Sequence, residues 1–252
     1  MKIGLTLSGG GARGIAHIGV IKALEEMGLT FSMVSGTSAG SIVGSLYAYG
    51  YKPDQILGFI GETRFFRSVR PAWTMKGILS LEGIRQVLLN HIPENDFAAL
   101  KIPMVIAATE IQRGTVEYFS QGELIPSILS SCCVPAIFDP VVFNGGVYVD
   151  GGMTDNLPVK PIRSQCDVVV GSHCNFIGPN FNPKNMKMIA ERSILLAING
   201  NTVASRQLCD VFIEPPQLGT FSGFEMGRAK ELFEIGYNYT KEHFRKDDFV
   251  KK

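Results

Sequence analysis

Apolar residues follow two rhythms along this chain. Short apolar runs alternate with stretches in which apolar residues recur every three or four positions. Ile3–Leu7, Phe31–Ser35, Ile102–Ala108, Thr115–Phe119, Asp167–Gly171 and Val211–Ile213 read as strands, and Val168-Val169-Val170 marks a fully buried one. Val141–Val149 reads as strand and turn. Ile15, Ile18, Ile21 and Leu24 lie on one helical face, and Gly28 is a natural stop. Further helices are predicted from the residue after Ser38 to about Tyr49, from Pro53-Asp54, and over Leu81–Leu89, Glu123–Ser131, Met186–Gln207 and Glu225–Lys241. Residues 62–80 lack periodicity and read as loop. The alternation of strands and helices predicts an α/β fold with a largely parallel sheet. Repeats, low-complexity tracts and linkers are absent from the sequence, so 1–252 reads as a single domain.

Three motifs carry candidate chemistry. After the first strand, Gly9, Gly11 and Gly14 match G-x-G-x-x-G and open a helix. A dinucleotide site built this way needs an acidic residue about 20 positions on. Here that region is Ser35-Gly36-Thr37-Ser38, which speaks against a redox cofactor. The second motif is Gly36-Thr37-Ser38-Ala39-Gly40 between a strand and a helix, the G-x-S-x-G layout of a nucleophile elbow, in which a sharp turn lifts a serine hydroxyl above a sheet. Beside such a serine, amides of the glycine loop at a helix N-terminus suit a developing oxyanion. The third is Asp150-Gly151-Gly152 with Asp155-Asn156-Leu157-Pro158, which taken alone also reads as a plain turn.

Together these motifs resemble the patatin-like phospholipase family, most closely compact bacterial members similar to the catalytic domain of neuropathy target esterase. The resemblance covers most of the chain and rests on Gly9-Gly10-Gly11-Ala12-Arg13-Gly14, Gly36-Thr37-Ser38-Ala39-Gly40, the block Ser131 to Pro135 with Phe138 and Pro140, and Asp150-Gly151-Gly152. It implies a three-layer α/β/α sandwich. It implies Ser38 as nucleophile, Asp150 as base, and Gly9, Gly10, Gly11, Ala12, Arg13 and Gly14 as the oxyanion loop, with Gly36 and Gly40 shaping the elbow and Gly151 and Gly152 following the acid. Cys132 and Cys133 depart from the small residues usual in the middle block and alter the pocket wall. The implied activity is hydrolysis of phospholipid, lysophospholipid or acylglycerol esters through an acyl-enzyme, with no cofactor and no metal. Acyl transfer to an alcohol, or lipid binding without catalysis, are the alternatives.

The remaining chemistry is secondary to that reading. His173 follows Asp150 in the Ser…Asp…His order of a triad and stands as a rival to the dyad. His17 reads as packing, and His91 and His243 lack catalytic context. Arg13 is suited to a substrate phosphate or to bracing the loop. Phe65, Phe66 and Trp73 among Arg64, Arg67, Arg70 and Lys76 suit either a peripheral membrane contact or a packed lid. The charged stretch 245–252 is expected to fray. Composition narrows the partners. With 252 residues, 45% hydrophobic and a net charge of +1, the chain builds a sizeable core, and nothing draws it to nucleic acid. The five cysteines lack C-x-x-C spacing and read as reduced thiols. The start Met-Lys-Ile-Gly-Leu-Thr-Leu is too short for a signal-peptide core, and no run of about 18 apolar residues exists. The expectation is a cytoplasmic protein, peripheral to membranes at most.

Overall fold

The computed structural model describes residues 1–61, 70–71, 79–179, 181–223 and 225–250. In chain order the elements are β1 (Ile3–Leu7), α1 (Ala16–Glu26), β2 (Met33–Thr37), α2 (Ala39–Tyr49), α3 (Pro53–Gly61), β3 (Arg70–Pro71), β4 (Leu79–Ser80) and α4 (Glu82–His91). They continue with β5 (Met104–Glu110), β6 (Thr115–Phe119), α5 (Leu124–Cys132), β7 (Val141–Phe143), β8 (Gly146–Val149), α6 (Lys160–Arg163), β9 (Val168–Ser172), α7 (Met186–Gln207), β10 (Val211–Ile213) and α8 (Ala229–His243).

Among the described residues the main sheet has strand order β10-β9-β1-β2-β5-β8-β7, with β6 also paired to β5. From β10 to β5 all pairings are parallel, while β6, β7 and β8 join antiparallel. The expected largely parallel sheet therefore carries an antiparallel margin. β1 is buried along its whole length, as a continuous apolar run in a covered parallel sheet must be. Alternate residues serve the two faces. Met104 and Ile106 of β5 and Val168 and Val170 of β9 join a large core with α1, α2, α5 and α8. Val105 and Val169 turn the other way, to a smaller core of Leu157, Val159 and Ile162 around α6. This is the expected α/β/α sandwich, with unequal layers.

Several boundaries move relative to the sequence reading, and the stretch 62–80 read as loop contains the short antiparallel pair β3 and β4. β2 begins at Met33 rather than Phe31 and runs on to Thr37, because residues 33–36 pair with β1 on one side and residues 34–37 with β5 on the other. The helix expected from Glu225 opens as a 3-10 turn, Met226–Arg228, before α8. β1 lies between β2 and β9, so the strands that follow it early in the chain extend the sheet to one side and β9 and β10 extend it to the other. In open α/β sheets the crevice at the carboxyl ends of such strands is where ligands bind.

Candidate active site

One edge of β5 is shared by two strands meeting head to head. β2 runs parallel to β5 and ends with Thr37 opposite Ala107. β8 runs antiparallel and ends with Val149 opposite Thr109. β6 occupies the other edge of β5 over the same residues. The gap between the two strand ends is filled by the next residue of each, Ser38 and Asp150, and both line one cleft.

Ser38 caps α2 with φ 50° and ψ −121°, a left-handed backbone unusual for a residue with a Cβ. The sharp turn presses Gly36 onto Gly40. A Cβ on Gly36 would stand 2.5 Å from the Gly40 carbonyl oxygen, and one on Gly40 would stand 2.3 Å from that of Leu7. Ser131, near the end of α5, holds the turn from below. Its Oγ accepts the Ser38 N–H at 2.7 Å and donates to the Ala107 carbonyl at 2.6 Å. The elbow is thereby tied to the strand that also fixes Asp150.

Asp150 is held by its backbone as tightly. Its N–H donates to the Cys133 carbonyl at 2.9 Å, and its carbonyl accepts from Thr109 Oγ1 at 2.9 Å. Its Oδ1 accepts the Gly152 N–H at 2.8 Å, capping a 3-10 turn. Gly151 passes against β5, where a Cβ would lie 2.1 Å from the Ala107 carbonyl oxygen. Burial pushes the Asp150 carboxyl up to about 6, while the nearby Ser38 hydroxyl and the Gly152 N–H pull against that rise. Cys132 lies beside the same pair, and burial holds its thiol well above the ordinary range, so it stays protonated. All five cysteines are free.

The glycine loop forms the opposite rim. The Gly9 amide is taken by the Asn156 carbonyl at 3.1 Å, and that of Ala12 by Gly223 at 2.7 Å. The amides of Gly10 and Gly11, at the mouth of the 3-10 turn Gly11–Ile15, have no partner among the described residues. Of the six loop residues expected at an oxyanion, Gly9, Gly10, Gly11 and Arg13 line the cleft, whereas Ala12 is turned into the core and Gly14 packs against Ala39. Arg13 is buried and donates from Nε to the Gly10 carbonyl at 3.4 Å, which braces the loop. His17 braces it from behind. Burial lowers its pKa to about 4, so the ring is neutral. Its Nε2 must donate to the Ser8 carbonyl, leaving Nδ1 to accept from Ser172.

Three asparagines join the site, of which only Asn156 belongs to a motif read in the sequence. Asn175 Nδ2 donates to the Gly9 carbonyl at 2.7 Å, and Asn201, in the middle of α7, joins the Gly152 carbonyl (2.8 Å) to the Asn156 N–H (3.0 Å). Asn156 is buried on the cleft wall, and its Nδ2 has no partner among the described residues. Only its neighbourhood to Asp150 marked it in the sequence. The rest of the wall is mainly apolar, from Val134, Met153, Ile194, Leu195 and Ile198.

The rival triad does not assemble. His173 is buried with Nδ1 at 2.7 Å from Glu214 and its ring stacked on Phe212, and its Nε2 bonds to nothing described. His91 stacks on Phe59, and His243 stacks on Tyr239. The expected membrane contact through Phe65, Phe66 and Trp73 falls outside the described residues. Among those described there is no cluster able to hold a metal, and no helix is long and apolar enough to cross a membrane.

The chain is 29% identical to the lysophospholipase NTE1 of Kluyveromyces lactis, over 94% of the chain and 19% of that protein. It is 36% identical to the lysophospholipase NTE1 of Mycosarcoma maydis, over 68% of the chain and 10% of the relative. An uncharacterized NTE family protein of Mycobacterium tuberculosis is 33% identical over 64% of the chain and 45% of its own length. The chain thus spans a minor part of each of these relatives. The crystal structure of VipD from Legionella pneumophila superposes with a TM-score of 0.54 at 18% identity, over 96% of the chain and 66% of VipD, a likeness of fold. The model of the patatin-like phospholipase family matches residues 5–162, which include the glycine loop, the elbow and Asp150. By that match, over more than half its length, the chain belongs to the patatin-like phospholipase family.

Proposed function

We propose that this chain is a serine hydrolase of lipid carboxylic esters, with Ser38 as nucleophile and Asp150 as its base. The observation that carries the proposal is the meeting of β2 and β8 on one edge of β5, which brings Ser38 and Asp150 into one cleft. Lysophospholipids lead among the substrates because the fungal relatives are named lysophospholipases. The mostly apolar wall suits an acyl chain.

In the reaction, Asp150 takes the Ser38 proton as Oγ bonds to the ester carbonyl carbon. The carbonyl electrons move onto oxygen, where the free Gly10 and Gly11 amides meet the charge. Collapse breaks the ester C–O bond, and Asp150 returns the proton to the leaving alcohol. Water then attacks the acyl-enzyme carbonyl and gives a proton to Asp150; the Ser38 Oγ–carbon bond breaks, Asp150 returns the proton to Oγ, and the fatty acid is released. A carboxyl with a pKa of about 6 is mostly ionised at neutral pH and a better base than one near the ordinary value.

A fluorophosphonate probe followed by peptide mass spectrometry should label Ser38, and Ser38→Ala should lose both labelling and turnover of p-nitrophenyl butyrate. Turnover retained by purified Ser38→Ala protein would overturn the assignment.

A further inference from the structure

α7 is turned inside out. A surface helix ordinarily buries its apolar face and shows its polar one. Here several polar side chains point inward, beside the apolar Leu195 and Ile198 of the cleft wall. Asn201 holds the Gly152 loop, Ser205 donates to Asp155 at 3.4 Å, and Thr202 is buried with them. The outer line of the same helix is apolar. Met186, Ile189, Leu196 and Val203 recur at one helical face and are 86%, 50%, 54% and 54% exposed. Between and beside them stand exposed Ala190, Ser193, Ala197, Gly200 and Ala204.

We infer that this face of α7 is the surface on which the protein rests on a lipid layer, delivering substrate directly to the cleft. The inference rests on the lipid-hydrolase reading above and adds where the lipid enters. Two observations choose the occupant. The face is continuous with the cleft mouth, because exposed Ile194 of α7 and exposed Met153 also line the cleft. A second protein seated here would close that mouth, whereas a lipid layer would feed it. Charge agrees. α7 carries Lys187, Arg192 and Arg206 against one carboxylate, Glu191, whose oxygens accept from Ser222 and the Gly223 amide. Exposed Lys184 precedes the helix, and Arg206 is exposed at its end, where it lies 3.8 Å from Glu214 with one face still open to solvent. Cations at both ends of an apolar stripe suit an anionic interface.

The experiment uses the full chain, vesicles of phosphatidylcholine and phosphatidylglycerol, and the double variant Ile189→Glu, Leu196→Glu. Neither residue lines the cleft, and glutamate keeps the helix. Vesicle co-sedimentation should fall about a hundredfold relative to the unsubstituted protein. Turnover of soluble p-nitrophenyl butyrate should stay unchanged, which also reports that the variant folds. A second variant, Leu196→Trp in a Trp73→Phe background so that position 196 holds the only indole, should shift its fluorescence to the blue when vesicles are added. Equal sedimentation of the double variant and the parent, or a Leu196→Trp emission that vesicles leave unmoved, would overturn the inference. So would a parent that is dimeric by light scattering while the double variant is monomeric, since the face would then join two copies. Binding is read apart from turnover, so a protein that binds vesicles through α7 yet cleaves no ester would sink the hydrolase reading and leave the docking face standing.

Discussion

Asp150→Asn should abolish activity and at the same time stabilise the fold. The carboxyl is buried, and its pKa rises from 3.8 to about 6 on folding. Between those values the native state holds the proton more firmly than the unfolded chain does. Stability therefore declines as pH climbs through that window, and the whole penalty is present above about pH 6. A rise of about 2 units corresponds to about 3 kcal/mol. Asparagine keeps the oxygen that accepts from Gly152 and cannot ionise. For a chain of this size the variant should melt roughly 6 to 12 °C higher than the parent at pH 8, with the gap closing by pH 4. The assay is thermal or urea unfolding of both proteins across that pH range. Any fixed effect of the new amide shifts the difference equally at all pH values and drops out. Parallel stability curves, with no gap opening between pH 4 and 8, would refute the claim that folding desolvates a charged Asp150.

Three further outcomes follow from the same geometry. The kcat/KM for a soluble ester should rise with pH through an apparent pKa near 6 as Asp150 ionises, and a flat profile from pH 5 to 8 would remove it as the base. Ser131→Ala leaves the Ser38 amide and the Ala107 carbonyl without their shared partner, so urea unfolding should show a loss of about 1–3 kcal/mol, with kcat reduced as the elbow loosens. His173→Ala should keep most of its activity, because its ring bonds to Glu214 rather than to the site; a loss equal to that of Asp150→Asn would restore the triad.

What the sequence revealed was local. The glycine loop, the elbow and the strand of consecutive valines each depend on neighbours a few residues away, and they could be placed to within a residue or two. The residues that turned out otherwise depend on distant pairing. β2 reaches Thr37 only because β5 continues the pairing one residue past β1. The free amides of the glycine loop are those of Gly10 and Gly11 because Asn156 and Gly223, far along the chain, take the Gly9 and Ala12 amides. Ser131 was visible as part of a motif, yet its double hydrogen bond needed α5 folded against β5. α7 was legible as a helix, while the direction of its apolar face was not, since periodicity gives the stripe and says nothing about what lies opposite.

The shared edge of β5 makes register a matter of whole numbers. Strands pair in step or slip by complete residues, and a single slip moves a side chain about 3.4 Å and turns it to the other face of the sheet. The spacing between Ser38 and Asp150 is set by two such pairings, Thr37 with Ala107 and Val149 with Thr109. A substitution that disturbs β8 should therefore divide the molecules into fully competent and wholly dead fractions instead of weakening each one slightly. Active-site titration with the fluorophosphonate would show this as labelling that stops short of one per chain, at an unaltered rate.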